Sequence, residues 1–160
     1  MGLILSLSLP VSAFAASGDS LGIFDGWGAF RAEAGGRCTA MAQPGRSSAG
    51  GEKGRAYAAI SSWPAHRVGA QFYVRLSRAQ AENSRIWLSI GERRFALTAG
   101  KGEAWAQDST MDSAIIAAMR MTTTMSIEAK GRDGRAFYDL YVLKGAATAM
   151  DAARLACLGK

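Results

Sequence analysis

The stretch Arg85–Thr98, RIWLSIGERRFALT, decides the fold of this chain. On each side of Gly91-Glu92, apolar side chains alternate with polar or aromatic ones, which is the period-2 pattern of a strand with one buried face. Two such runs joined by a short polar connection predict a tight antiparallel hairpin. The stretch Val68–Leu76, VGAQFYVRL, alternates in the same way and predicts a further strand.

More short strands are predicted on both sides of this hairpin. They lie at Trp27–Ala32, Cys38–Ala42, Tyr57–Ser62, Thr123–Lys130 and Ala136–Leu143. The last two are joined by Gly131–Gly134, whose Gly and Asp residues favour a turn. About eight short strands with Gly-containing turns predict a mainly β fold, an antiparallel β-sandwich or barrel. We expect Gln43–Gly54, which is rich in Gly and Ser, to form a loop.

Two segments break the β pattern and predict short helices. The first, Thr110–Met121, follows Asp108 and Ser109, either of which can cap a helix N-terminus. The second helix, Ala146–Leu158, is C-terminal and carries small and apolar residues at helical spacing. This spacing directs Cys157 to the apolar side of the second helix.

Residues 1–16, MGLILSLSLPVSAFAA, have the layout of a cleavable signal peptide, an apolar run followed by small residues in an A-x-A arrangement. We therefore expect export, cleavage after Ala15 or Ala16, and a single domain over residues 17–160. The apolar run is shorter than the ~20 residues of a membrane span, and no later stretch approaches that length. Since no Lys or Arg precedes the run, we expect the true translation start to lie upstream. The alternative to export is an apolar tail on a cytosolic protein.

The chain has 2 cysteines, Cys38 and Cys157. In an exported chain, a single pair of this kind predicts a structural disulfide. Because the bridge would tie an early strand to the C-terminal helix, it would stabilise the fold by roughly 4 to 5 kcal/mol in the chain-entropy model. Two unpaired buried thiols are the alternative.

The chain is basic, with 19 Lys and Arg residues against 13 Asp and Glu residues and a net charge of +6. A basic exported domain can associate with anionic lipid headgroups, lipopolysaccharide, glycans or acidic protein surfaces. The charges are spread along the chain, so a merely solvated surface is the alternative. Because the sequence has no helix-turn-helix, zinc-ligand spacing or dense Lys/Arg stripe, we expect no nucleic-acid partner.

Residues for catalysis or metal binding are sparse. One histidine, His66, with no free cysteine beside it does not make a metal site. The chain has no G-x-S-x-G motif and no glycine-rich strand-to-helix turn, and capping accounts for Glu103, Asp108 and Asp112 around a helix start. We therefore predict no enzymatic activity, metal or cofactor. Asp139 faces inward in its strand, so we expect a buried structural carboxylate paired with an Arg or with backbone amides.

The polar face of the central strands supplies the candidate binding residues. They are Tyr73, Arg75, Arg85, Trp87 and Arg94. Arginine and aromatic side chains on neighbouring antiparallel strands would form a flat basic platform, suited to glycans or anionic headgroups through stacking and charge. The alternative is that a second layer or a helix covers Trp87 and leaves the arginines as ordinary surface charges.

Several short motifs follow one another in order between Phe24 and Cys157. They are Trp27 with Cys38 and Pro44, the entry to the first helix at Ala104–Asp108, Ala117–Arg120, Met125 at the start of a strand, and Tyr141–Gly145 leading into the helix that ends near Cys157. In these motifs the chain resembles the invasion-associated locus B family of small exported proteins from alphaproteobacteria. The resemblance implies a protein that is periplasmic or exported to the cell surface, in a family whose namesake is linked to invasion of host cells. It carries over no catalytic residues.

These observations lead to one main functional hypothesis. The chain is expected to be a non-enzymatic envelope interaction protein that contacts a host or envelope component, either a protein partner or an anionic glycan. One alternative is a structural or stress-protective periplasmic protein without a specific ligand. The other is an inhibitor of an envelope or host hydrolase, or an enzyme.

Overall fold

The computed structural model of the protein describes residues 18–32, 36–48 and 56–158. The helices in these residues are α1 (Ser109–Met121) and α2 (Ala146–Leu158), with one 3₁₀ turn at Pro64–His66. The expected signal peptide, residues 1–16, lies outside the described residues. The strands are β1 (Gly18–Phe24), β2 (Trp27–Ala32), β3 (Cys38–Ala42), β4 (Arg46–Ser47), β5 (Tyr57–Trp63), β6 (Val68–Arg75), β7 (Ile86–Ile90), β8 (Arg93–Ala99), β9 (Glu103–Trp105), β10 (Thr124–Lys130) and β11 (Ala136–Val142).

The strands join in one open antiparallel sheet, in the order β1-β2-β3-β5-β6-β9-β8-β7-β10-β11-β4. The predicted mainly β, antiparallel fold with two short helices, the second C-terminal, is confirmed. The strands form one open sheet where the sequence predicted a sandwich or barrel. In the described residues the sheet has 11 strands rather than about eight, and its edges are β1 and β4.

The three strands that the sequence did not predict are β1, β4 and β9, and each lacks a clear alternating pattern. β1 contains two glycines, and its register against β2 shifts between Ser20 and Gly22. β4 has 2 residues and lies in the segment expected to be a loop, while β9 has 3 residues. Segments as short as β4 and β9 become strands because a neighbouring strand offers hydrogen-bond partners to their backbone. Residues 49–54 of the expected loop lie outside the described chain.

The predicted hairpin forms between β7 and β8. Ile90 pairs with Arg93 across the turn, and the register continues to the pair Ile86 and Leu97. Gly91 has a φ of 57°, a left-handed conformation that glycine adopts without steric cost. The alternation of the sequence is realised, since the apolar side chains of β7 are buried and Trp87 is half-buried on the opposite face.

Both helices contribute to a single hydrophobic core. α1 packs against β6, β7 and β8 through a buried stripe that includes Ile115 and Met119. α2 packs against β1, β2 and β3 through Ala149, Met150 and Cys157. Neither helix of the described chain has the length and apolar content needed to cross a membrane.

The predicted disulfide is present in the structure. Cys38 on β3 is bonded to Cys157 on α2, with 6.0 Å between the two Cα atoms. Both cysteines are buried in the hydrophobic core. The bridge therefore holds the C-terminal helix against the N-terminal half of the sheet.

A close backbone contact brings the start of α2 to the β1–β2 hairpin. Gly145 precedes α2 with a φ of 85°, and a Cβ at this position would overlap the carbonyl oxygen of Phe24. Trp27 Nε1 donates a hydrogen bond of 2.8 Å to the carbonyl oxygen of Val142 at the end of β11. These contacts join the first and last parts of the fold.

Asp139 on β11 is fully buried, as its inward position predicted. Its carboxylate accepts the hydroxyl of Ser47 at 2.6 Å and the backbone N–H of Ser77 at 2.9 Å. A backbone amide and a hydroxyl, rather than an Arg, are therefore its hydrogen-bond partners. Asp139 acts here as a structural group that fixes the short edge strand β4 and the chain just after β6.

Candidate binding groove

Four strands in the second half of the sheet present one side each to a shallow groove of about 490 Å³. Register explains why these side chains meet, because Trp87 pairs with Glu128 on β10 and Glu128 pairs in turn with Tyr138 on β11. Residues paired across antiparallel strands point to the same face. We call this feature the Trp87 groove, and its charged and aromatic lining residues include Arg85, Trp87, Arg94, Glu128, Lys130 and Tyr138.

One wall of the groove follows from the short edge strand. Ser48, directly after β4, donates its backbone N–H to the carbonyl oxygen of Tyr138 at 3.0 Å. The backbone N–H of Tyr138 donates in return to the Ser48 hydroxyl at 2.8 Å. These reciprocal bonds hold the chain after β4 alongside β11, where Ser48 lines the groove.

The floor of the groove is a stacked pair of side chains. The guanidinium carbon of Arg94 lies 4.5 Å from the centre of the Trp87 ring, which is within the range of a cation–π interaction. Arg94 also forms an ion pair of 3.2 Å with Glu128, and Glu128 accepts the hydroxyl of Ser126 at 2.8 Å. Trp87 is therefore covered on one face by a cation and stays half-buried.

The groove is positively charged. Arg85, Arg94 and Lys130 line it together with a single carboxylate, that of Glu128. Arg85 and Lys130 form no ion pair with a described carboxylate. This arrangement can bind an anion by charge-assisted hydrogen bonds and can stack a flat ring or sugar face against exposed aromatic surface.

No protein-family model matches this chain, and neither a curated protein nor a solved structure matches it. The resemblance to the invasion-associated locus B family therefore rests on the motifs alone.

The structure brings together three of the five predicted binding residues, Arg85, Trp87 and Arg94. The other two, Tyr73 and Arg75, lie on β6, which is separated from β7 by β9 and β8. The single platform that the sequence predicted is thus divided. An unpredicted strand, β9, causes the division.

Tyr73 lies in a different groove, on the outer face of the first half of the sheet. Its ring is 5.8 Å from that of Tyr57 between centres, and its hydroxyl donates to the carboxylate of Glu103. Burial, and next the hydrogen bond to Glu103, raise the pKa of Tyr73 well above its ordinary value. Tyr73 therefore stays neutral at physiological pH. Arg75, two residues further along β6, is exposed.

Glu128, Lys130 and Tyr138 line the groove although the sequence alone did not predict them as binding residues. A signal for them was present, because both β10 and β11 were predicted as strands and these residues occupy their polar faces. The information that was missing was the pairing of β10 with β7, which brings residues about 40 positions apart side by side.

The residues considered for catalysis are dispersed. His66 is exposed in the 3₁₀ turn. Asp108 caps α1 by accepting the backbone N–H of Met111 at 2.8 Å, as expected for a capping residue. In residues 18–32, 36–48 and 56–158, no group of three or more His, Cys, Asp or Glu residues is arranged to hold a metal ion.

Proposed function

We propose that this protein is an exported, non-enzymatic interaction protein of the cell envelope that binds an anionic glycan in the Trp87 groove. The observation that carries the proposal is the stacking of Arg94 on Trp87 beside two further cations, Arg85 and Lys130. Sulfate, phosphate or carboxylate groups on a sugar would pair with these cations. The sugar ring would lie against the aromatic surface.

The disulfide supports the exported location. Structural disulfides such as Cys38–Cys157 persist in oxidising compartments and are rare in the cytosol. The signal-like residues 1–16 and the resemblance to the invasion-associated locus B family agree with a periplasmic or cell-surface location. The proposed partner is accordingly an envelope or host glycan.

Binding of a sulfated heparin oligosaccharide to the chain from residue 17 onwards tests the proposal, with an uncharged oligosaccharide of equal length as the control ligand. The double variant Arg85→Ser/Arg94→Ser should bind the heparin oligosaccharide about tenfold or more weakly, since it loses two charge-assisted contacts. Trp87→Ala should weaken binding in the same direction by removing the stacking surface. Titration calorimetry gives the affinities.

A matched control separates the groove from the overall charge. Lys101 and Arg132 are exposed and lie outside the Trp87 groove, so Lys101→Ser/Arg132→Ser removes the same charge elsewhere. Equal loss of affinity in the two double variants would contradict the proposal, because net charge alone would then explain binding. Absence of binding to any anionic glycan would favour the structural or stress-protective alternative.

A further inference from the structure

A cleft of about 510 Å³ lies between the two helices, over the strands β5 and β6. α1 contributes one stripe, Ser109, Ser113, Ile116 and Arg120, whose spacing places all four side chains on the same side of the helix. α2 contributes a facing stripe that includes Met150, Ala153, Arg154 and Cys157. We call this feature the interhelix cleft.

The interior of the cleft is mainly apolar, although four serines, Ser61, Ser62, Ser109 and Ser113, also line the cleft. Ile60 on β5, Val68 and Ala70 on β6, and Ile116 on α1 line it together with Met150 and the Cys38–Cys157 disulfide. Val68 and Ala70 lie on the side of the sheet that carries both helices, and Ile116 lies on α1. All three side chains are nevertheless only half-buried. Apolar side chains left open between two helices provide a surface whose burial by an apolar ligand is favourable.

The rim of the cleft is cationic. Arg67, Arg120 and Arg154 line it from three different elements. Arg120 already pairs with Asp151, at 2.6 and 3.2 Å, and this bidentate pair joins α1 to α2. Arg67 and Arg154 are exposed and form no ion pair with a described carboxylate. Two cations at the rim thus remain to pair with a ligand.

The backbone at Arg67 is unusual. Arg67 ends the 3₁₀ turn with a φ of 56° and a ψ of 25°, and its N–H donates to the carbonyl oxygen of Pro64 at 3.0 Å. Glycine or asparagine takes this left-handed conformation at lower cost than arginine does. Strained residues of this kind cluster at functional sites. An arginine at this position is consistent with a use for its side chain at the cleft.

We infer that the interhelix cleft binds a single-chain alkyl carboxylate, that is, a fatty acid. The alkyl chain lies against the apolar interior, and the carboxylate pairs with Arg67 and Arg154, whose planar guanidinium groups match a carboxylate. The volume falls in the range of about 300 to 1,000 Å³ that small-molecule sites occupy. The cleft shares no lining residue with the Trp87 groove, so the two sites are independent.

The test is calorimetric titration of the disulfide-bonded chain from residue 17 onwards, stripped of lipid, with dodecanoate. Dodecanol supplies the chain without the charge, and acetate supplies the charge without the chain. We expect dodecanoate to bind with a stoichiometry of one, dodecanol to bind about tenfold or more weakly, and acetate not to bind. Equal affinity for dodecanoate and dodecanol would overturn the role of the arginines, and no binding of dodecanoate would overturn the whole proposal.

Two pairs of variants assign the binding to the cleft. Ser113→Trp fills the cleft from α1 and should abolish dodecanoate binding, whereas Ala117→Trp, at an exposed position of the same helix outside the cleft, should not affect it.

Arg67→Gly/Arg154→Ser removes both free cations, and glycine fits the left-handed backbone, so this variant should fold and bind dodecanoate about tenfold more weakly. Lys101→Ser/Arg132→Ser should bind like the unmodified protein. Unchanged binding in Ser113→Trp and in Arg67→Gly/Arg154→Ser would overturn the assignment.

Discussion

The carboxylate of Asp112 on α1 accepts the backbone N–H of Phe72 on β6, with 2.7 Å between Oδ1 and N. β9 pairs with β6 only from Tyr73 to Arg75. Ala106, directly after β9, donates its N–H to the Phe72 carbonyl oxygen at 3.4 Å, and the Phe72 N–H is left for Asp112. A helix side chain therefore completes the hydrogen bonding of a buried strand at the point where its neighbouring strand stops. This contact fixes α1 on the sheet and thereby fixes one wall of the interhelix cleft.

Asp112→Ala should lower the free energy of unfolding by about 1 to 3 kcal/mol, because it leaves the buried Phe72 N–H without a partner. Urea denaturation measures the loss. Ser113→Ala is the control, since Ser113 is the next residue on α1 but is exposed. A loss in Asp112→Ala no greater than in Ser113→Ala would contradict the structural role of the contact.

The free energy of unfolding of Asp112→Asn, compared with that of the unmodified protein, should increase as pH rises. Burial raises the pKa of Asp112 above its ordinary value of 3.8, although the Phe72 N–H opposes the shift. Because the pKa of this carboxyl is higher in the folded state than in the unfolded state, its protonated form favours folding. The unmodified protein therefore loses this part of its free energy of unfolding as pH rises from the ordinary pKa through the raised one. Asparagine keeps an oxygen acceptor and does not ionise. Urea denaturation at about pH 3 and about pH 7 tests the difference, and a constant difference would count against the raised pKa.

Reduction of the Cys38–Cys157 disulfide should lower the free energy of unfolding by about 4 to 5 kcal/mol, because the bridge closes most of the chain into one loop. Denaturation with and without reductant gives the value. The double variant Cys38→Ala/Cys157→Ala should behave like the reduced protein. If the reduced and oxidised forms unfold at the same denaturant concentration, the bridge does not stabilise this fold.

Gly145→Ala should destabilise the protein far more than Gly134→Ala. Both glycines have a positive φ, 85° and 77°, so alanine meets a backbone cost at each. At Gly134 no atom lies within 4 Å of the added Cβ, whereas at Gly145 the Cβ would overlap the Phe24 carbonyl. Thermal unfolding of the two variants compares them. Equal melting temperatures would mean that the close approach of Phe24 is absent in solution.

Tyr141→Phe should leave the free energy of unfolding unchanged or raise it by about 1 kcal/mol, since a buried hydroxyl without a partner costs free energy. Tyr141 is fully buried, and its hydroxyl has no hydrogen-bond partner among the described residues. Burial, and next the nearby Asp139, raise the pKa of Tyr141 far above its ordinary value, so the hydroxyl stays neutral. A clear loss of stability on urea denaturation, absent from the exposed control Tyr138→Phe, would indicate a partner such as a bound water.

Much of the fold was predictable from local patterns. Helix α2 begins and ends at the predicted residues, and β2 and β3 do so as well. The alternation in β6, β7 and β8 identified which side chains face the core. The strands that escaped prediction, β1, β4 and β9, are the ones whose own residues show no pattern and whose partners create them.

The candidate site was predictable only in part. The alternating pattern placed Tyr73 and Trp87 both on polar strand faces, and both are half-buried on those faces. It did not reveal that β9 and β8 stand between their strands. It also did not reveal that β10 brings Glu128 beside Trp87.

The sequence by itself determined both helices, eight of the 11 strands and the face that most of their residues take, because the two-residue period and the helical period are properties of neighbouring residues. It also determined the cysteine pair, because the chain has 2 cysteines. The tertiary structure alone decided which outward-facing residues meet. Strand order depends on hydrogen bonding between segments far apart in the chain, such as β7 with β10 and β6 with β9, and no local pattern contains that information. The Trp87 groove arises from the pairing of β7 with β10, and the interhelix cleft arises from the packing of α1 and α2 over β5 and β6.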